Sequence, residues 1–149
     1  MNGPGLKYEV GVCIKTADIV WINGPFRAGT SDVKIFHEDG LLHALADNEC
    51  IEVDAGYQGN DKFKNPYIAA SRIHRIQKSK VRARHENVNQ RLKQFAVLDQ
   101  VFRRTFGKEI DGQRFWKHQI CFEAVAVITQ LSFEFDCSLY DVEYDVTYD

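Results

Sequence analysis

No long uninterrupted hydrophobic run occurs in this sequence. The longest apolar stretch, from Ile120 to Leu131, is broken by Glu123, Thr129 and Gln130, and it is shorter than the roughly 20 apolar residues that cross a bilayer. No signal-like apolar segment follows Met1. We therefore expect an intracellular protein without a membrane anchor, and the 44% hydrophobic and 27% charged residues are typical of one globular domain.

Cysteine is sparse and scattered. The four cysteines form no CxxC pair and no Cys/His ligand spacing, which favours free thiols over a disulfide framework or a zinc site. The sequence also lacks GxSxG and GxxxxGK[ST], which argues against serine-hydrolase and P-loop chemistry. The five histidines are more typical of surface or packing positions, with His85, beside Glu86, as the exception.

The net charge of -2 conceals two segregated regions. From Arg72 to Lys93 there are eight basic residues and one acidic residue, Glu86, whereas residues 132–149 contain no Lys or Arg. This asymmetry indicates that the first segment has a face that binds nucleic acid. The second segment is expected to be an acidic tail that is repelled by nucleic acid or solvated by water. A solvated helix and a polar terminus would explain the same charges.

Hydrophobic patterning predicts three strands and three helices. Alternation predicts strands over Lys7 to Ile14 and Asp18 to Asn23, joined by a tight turn, and a third strand over Cys50 to Val53 that ends at Asp54. Residues 60–66 are polar and are predicted to form a loop. Helices are predicted over Ser31 to Ala46, Ala69 to Phe95 and Arg114 to Leu131, and the last is apolar on nearly every side, so we expect it to be mostly buried.

The second of these helices has a core face and a cationic face. Val81, Val88, Leu92 and Phe95 form one apolar stripe. At 100° per residue, Glu86 lies about 150° from that stripe. It shares its side of the helix with Arg75, Ser79, Arg82, Asn89 and Lys93.

Asp54 and Glu86 are the candidate catalytic residues. Asp54 follows a buried strand, a position from which α/β sheets present site residues, although a turn-forming role is the simpler explanation for an Asp before Gly. Glu86 is the single carboxylate on the cationic face, and an ion pair with Arg82 would also explain it. Carboxylates from separate elements can hold Mg²⁺ or Mn²⁺ beside a phosphodiester, while Arg75, Lys78, Arg82 and Lys93 are expected to bind the DNA backbone.

An ordered series of motifs extends over most of the chain. It consists of GPGLKYEVGVCIKTADIVWINGPF, TSDVKIF, VDAGYQG, RARHENVNQRLKQF and FEAVAVITQLSFE. With these motifs the sequence resembles the Harbinger-type transposases of the DDE superfamily endonucleases, in particular the C-terminal part of their nuclease domain. The resemblance implies an α/β fold of the RNase H-like, or retroviral integrase-like, type and metal-dependent hydrolysis of DNA phosphodiesters.

The resemblance assigns two of the family's three acids. Asp54 corresponds to the second acid and Glu86 to the third, with thirty-one residues between them. Asp32 matches a recurring family Asp and is expected to support the site from outside, as are His85 and Asn89. The first acid belongs to a central strand that in relatives lies upstream of residues 3–11, so residues 1–149 are expected to be one partial domain that lacks this strand, has unpaired strand edges and loses most of its activity.

Partners and location follow from the same resemblance. It implies DNA as substrate, a nuclear location, a Myb-like DNA-binding partner protein and a possible homo-oligomer. One alternative is a domesticated, non-catalytic protein that binds DNA through the cationic face. Another is a helical interaction module that dimerises through the Arg114 to Leu131 helix.

Overall fold

The computed structural model describes residues 5–38, 40–69, 71–99, 115–135 and 137–145, and its first feature is an antiparallel hairpin. Strand β1 (Leu6–Val12) pairs with strand β2 (Ile19–Arg27), which confirms the predicted hairpin and extends its second strand by four residues. Cys13 N donates to Asp18 O at 2.8 Å and closes the turn. Tyr8, Val10 and Val12 of β1 and Ile19 and Ile22 of β2 pack against the main hydrophobic core.

Gly24 in β2 has a backbone that requires glycine. Its φ is 136°, which side-chain-bearing residues rarely adopt. A Cβ at this position would also lie 2.8 Å from Tyr8 Cδ1 and 2.9 Å from Lys7 O. The close approach of the two strands at this point therefore depends on the missing side chain.

We predict that Gly24→Ala lowers the free energy of unfolding by about 2–4 kcal/mol, because strain and a backbone clash act together. Gly29→Ala is the matched control: nothing lies within 4 Å of its Cβ position, and its effect should stay within about 0.5 kcal/mol. Urea unfolding followed by circular dichroism measures both. Equal effects of the two substitutions would contradict the steric argument.

Helix α1 (Asp32–Glu38) ends earlier than the predicted Ala46, and a 3₁₀ turn follows at Leu41–His43. Two features at Gly40 and Leu41 explain why the helix ends early. Glycine disfavours helix continuation by about 1 kcal/mol. In addition, the Leu41 N–H donates to Glu9 Oε2 at 3.1 Å and so is directed away from a helical carbonyl.

The third strand is shorter than predicted and has a partner that the sequence did not indicate. Strand β3 (Ile51–Glu52) pairs in parallel with strand β4 (Phe63–Lys64), which corrects the loop expected at residues 60–66. The β4 strand forms because Phe63 is only 2% exposed and packs edge-on against Phe36, with a 5.0 Å centroid distance. Val53 completes this small second core.

Helix α2 (Arg72–Lys93) confirms the long basic helix, and a short helix, α3 (Ala96–Asp99), follows it. The Ser71 side chain caps the N-terminus of α2 by accepting from His74 N at 3.2 Å. The predicted core stripe is correct at Val81, Val88 and Leu92, which are at most 8% exposed.

Helix α4 (Trp116–Phe135) corrects the expectation of a mostly buried helix; the predicted start at Arg114 lies outside the described residues. One face is buried and contributes Phe122, Val125, Ala126, Thr129 and Phe133. Tyr8 of β1 stacks on Phe122 with parallel rings 3.8 Å apart. The opposite face is exposed, because the hairpin and α2 cover only one side of the helix.

Residues 137–145 of the acidic tail contact α2, while the acidic side chains Asp141, Glu143 and Asp145 are exposed, as expected for a solvated end; residues 136 and 146–149 lie outside the described structure. Leu139 is 8% exposed and belongs to the main core. The Tyr140 hydroxyl donates to Lys80 O at 2.9 Å, and the Tyr144 hydroxyl contacts the Glu52 carboxylate. Apolar and aromatic side chains thus hold a segment that its charge alone would expose.

Candidate functional site

Asp54 lies two residues beyond β3 on an exposed turn. The Tyr57 N–H donates to Asp54 O at 3.0 Å, so the backbone of Asp54 opens the turn predicted from the sequence. Its side chain is 67% exposed and points to α2, where Arg82 Nη2 lies 2.6 Å from Asp54 Oδ1. The carboxylate therefore faces the basic helix.

Glu86 lies one turn after Arg82 on the exposed face of α2. Residues four apart on a helix are neighbours at about 6 Å along the axis. Arg82, which contacts Asp54, therefore lies one helical turn from Glu86. The alternative ion pair between Glu86 and Arg82 is not the contact that the structure forms, because the guanidinium of Arg82 pairs with Asp54.

The orientation of α2 is set by side chains that bind β1 and the turn after it. His85 Nε2 donates to Val10 O at 3.0 Å, and Asn89 Nδ2 lies 3.5 Å from His85 Nδ1. Arg84 is 3% exposed and its guanidinium donates to Cys13 O and Ile14 O. His85 and Asn89 therefore position the helix that carries Glu86, and neither needs to touch a substrate to do so.

Asp32 lies at the start of α1, paired with Lys7 at 2.8 Å between Nζ and Oδ1. With Lys7 it lines a shallow cleft whose other walls include Glu9, Tyr57 and His85. Burial raises the pKa of Tyr57 to about 12, and the negative charges of Asp32, Glu9 and Asp54 add to this. Tyr57 therefore remains a neutral hydroxyl among three carboxylates.

The four predicted DNA-contacting residues divide into two groups. Arg75, Arg82 and Lys93 are exposed on the side of α2 that carries Glu86. Lys78 is 2% exposed, and its ammonium lies 2.7 and 2.8 Å from the two oxygens of Glu52. The prediction for Lys78 is corrected: an ammonium buried in an ion pair is not available to a phosphate.

Sequence reasoning missed the buried network around Glu52. Its side chain is 6% exposed, binds Lys78 and accepts from the Tyr144 hydroxyl. The signal was present, since a carboxylate between Ile51 and Val53 in an apolar strand must be paired when the strand is buried. The partner could not be named from the sequence, because Lys78 is one of several cations on α2.

We predict that Lys78→Met lowers the free energy of unfolding by about 3–5 kcal/mol, because it leaves the Glu52 carboxylate buried without its cation. The double variant Lys78→Met with Glu52→Leu removes both charges and should recover most of that loss. Thermal and urea unfolding of the two single variants and the double variant measure the coupling. Additive losses would show that the pair does not act as a unit.

The donor chemistry of the site fits a divalent cation in part. Asp54 and Glu86 are exposed carboxylates, the oxygen ligands that Mg²⁺ and Mn²⁺ prefer. Within the described residues, however, no three His, Cys, Asp or Glu side chains come together in a group that could hold a metal ion. The ion pair with Arg82 also competes with a cation for the Asp54 carboxylate.

These features define a class of protein. The chain is a mixed α/β domain in which an exposed aspartate after a short strand contacts a basic helix that also carries an exposed glutamate. Across the described ranges, no helix combines the length and the apolarity that crossing a bilayer requires.

Comparison with known families identifies the group to which this class belongs. The sequence profile of the DDE superfamily endonucleases matches residues 2–132. The chain belongs to the DDE superfamily endonuclease family, which supports a nuclease- or transposase-like function. Searches of curated proteins and of solved structures found no match.

Proposed function

We propose that this chain is the C-terminal part of a Harbinger-type transposase nuclease domain with an RNase H-like arrangement. The observation that supports the proposal is the contact of Arg82 with Asp54 one helical turn from Glu86, because it places Asp54 against the basic helix that carries Glu86. Asp54 and Glu86 are the proposed metal ligands. DNA is the proposed substrate.

The proposed cofactor is Mg²⁺ or Mn²⁺. The chemistry that a divalent cation supplies in such a site is activation of the attacking water and stabilisation of the leaving oxygen of the phosphodiester. Asp54 and Glu86 would hold the cation, and Arg82 would exchange from Asp54 to a DNA phosphate as the cation binds. The resemblance adds a third acid from a strand upstream of β1, so two acids alone should bind the cation weakly.

We predict that Mn²⁺ raises the melting temperature of the parent protein by roughly 3–5 °C at ten times its dissociation constant. Asp54→Asn and Glu86→Gln should abolish the rise because each removes a ligand. At the same Mn²⁺ concentration Arg82→Gln should enlarge the rise, because the cation no longer competes with the guanidinium for Asp54 and binds more tightly. Differential scanning fluorimetry across a Mn²⁺ titration measures all four proteins.

Glu38→Gln is the matched control for the metal titration. It removes an exposed carboxylate of α1, paired only loosely with Lys34 at 3.8 Å, and should leave the metal response unchanged. A metal response that persists in both Asp54→Asn and Glu86→Gln would refute the assignment of these two ligands.

The cationic face provides a separate test of DNA binding. We predict that Arg75→Gln and Lys93→Gln each weaken binding of a DNA duplex and reduce the slope of log K against log salt by about 1, because each removes one phosphate contact. Fluorescence anisotropy from 50 to 200 mM NaCl measures the slope. Lys34→Gln, an exposed cation on α1, is the control and should leave the slope unchanged.

The second candidate function is a domesticated, non-catalytic DNA-binding protein. The Arg82–Asp54 ion pair favours it, because that pair neutralises one of the two acids. This candidate requires salt-dependent DNA binding that survives Glu86→Gln, with neither a metal response nor nicking of supercoiled plasmid. Metal-dependent nicking that disappears in Asp54→Asn would instead identify a nuclease.

The resemblance supports three further proposals about cellular context. They are a nuclear location, a Myb-like partner protein that supplies DNA recognition, and assembly into a homo-oligomer. The charge of α2 agrees with the first two, since a basic face suits nucleic acid. The exposed face of α4 bears on the third.

A further inference from the structure

Tyr144 lies in a segment of the acidic tail that packs against the domain without belonging to a helix or a strand. Residues 137–145 form neither element. The Tyr144 side chain is half-buried, and its hydroxyl donates to the Glu52 carboxylate. That carboxylate is also the partner of the Lys78 ammonium. An irregular segment therefore brings a phenol hydroxyl to a buried ion pair.

The residues beside Tyr144 are acidic on both sides. Asp141, Glu143 and Asp145 are exposed, whereas Val142 and Tyr144 between them are half-buried, the alternation of an extended chain. Although α2 is basic, none of these three acids forms an ion pair in the part of the chain that the structure describes. The Tyr-Asp pair also recurs at every fourth position, at 140, 144 and 148. The fold does not use these carboxylates, so they are available to the basic surface of another protein.

We propose that Tyr144 is the phosphorylation site of a protein-tyrosine kinase whose substrate groove is basic. The three exposed acids bind that groove by charge complementarity. Because residues 137–145 lie outside the helices and strands, they can open locally and bring the Tyr144 hydroxyl in line with the γ-phosphate of ATP.

The transfer follows ordinary kinase chemistry. The phenol oxygen of Tyr144 forms a bond to the γ-phosphorus of ATP, and the bond from that phosphorus to the β–γ bridging oxygen breaks. ADP leaves, and the phenol proton passes to the catalytic aspartate of the kinase. The product is a phosphate monoester on the tail.

Phosphorylation reverses the contact between Tyr144 and Glu52. The hydroxyl donates a hydrogen bond, whereas the phosphate has a charge of about −1.5 to −2 and three acceptor oxygens. Glu52 already binds Lys78 at 2.7 Å, and the side chains of this pair are only 6% and 2% exposed. One ammonium cannot balance both the carboxylate and the phosphate, and burial makes the excess negative charge costly. The phosphorylated side chain therefore leaves the ion pair for solvent.

The first experiment asks whether a kinase selects Tyr144. The purified full chain is incubated with ATP, Mg²⁺ and a recombinant tyrosine kinase that phosphorylates Glu/Tyr copolymers, and tandem mass spectrometry locates the phosphate. Tyr67 is the matched control, because it is 80% exposed but has no acidic residue within five positions on either side. Tyr144 should be modified at least tenfold faster than Tyr67. Equal rates, or no phosphate on Tyr144, would overturn the proposal.

The second experiment asks whether the phosphate leaves Glu52. It uses Tyr140→Phe with Tyr148→Phe, so that Tyr144 is the one tyrosine of the tail that a kinase can modify. A ³¹P NMR titration should give a phosphate pKa of about 6, the value of a solvated monoester. A phosphate held beside the Glu52 carboxylate would instead have a raised pKa, and a value above about 7 would contradict release.

Thermal melts of the same protein measure what the modification does to the fold. Phosphorylation should lower the melting temperature by at least about 5 °C. Tyr144→Phe should lower it by less than half as much, because that variant loses the hydroxyl but adds no charge. An unchanged melting temperature after phosphorylation would count against the reversal of the Glu52 contact.

Two features keep these experiments separate from the proposed nuclease site. The melts are recorded in EDTA, so that neither Mg²⁺ from the kinase reaction nor any metal bound at Asp54 contributes to them. Asp54→Asn should also be phosphorylated and destabilised like the parent. Loss of phosphorylation in Asp54→Asn would show that the kinase recognises a different surface from the acids beside Tyr144, and would overturn the assignment.

Discussion

The buried ion pair between Lys78 and Glu52 is the contact on which the surface site depends. Residues four apart on a helix share a face, and residues two apart on an extended chain do so as well. Lys78 and Arg82 are therefore neighbours on α2, as Glu52 and Asp54 are at β3. The buried pair, at 2.7 Å, therefore joins the same two elements as the exposed pair of Arg82 and Asp54, at 2.6 Å.

The elements that sequence periodicity defines were predicted well. The hairpin, the third strand and the long basic helix are present, because alternation and the 3.6-residue period act locally. The exposed side of α2 that carries Arg75, Arg82 and Glu86 was also predicted correctly, since it follows from the position of the core stripe. Asp54 could also be placed near the end of a strand, because the apolar run that precedes it is a local feature of the sequence.

What the sequence did not reveal depends on contacts between distant residues. The helix after Asp32 ends early because Glu9, from another element, binds the Leu41 N–H. Lys78 was assigned to DNA because its charge is visible in the sequence while its burial is not. The single apolar stripe of α2 and the all-round apolar character of α4 were treated alike as core, although among the described residues only one face of α4 is covered by other elements.

The docked C-terminal segment has a consequence for how the protein folds during synthesis. The Tyr144 hydroxyl contacts the carboxylate of Glu52, which already binds Lys78, so the last member of this network is added ninety-two residues after its acceptor. Domains fold as they emerge from the ribosome. Here α2 and β3 can associate early, but their shared polar network cannot be completed until Tyr144 has been made and has left the ribosome.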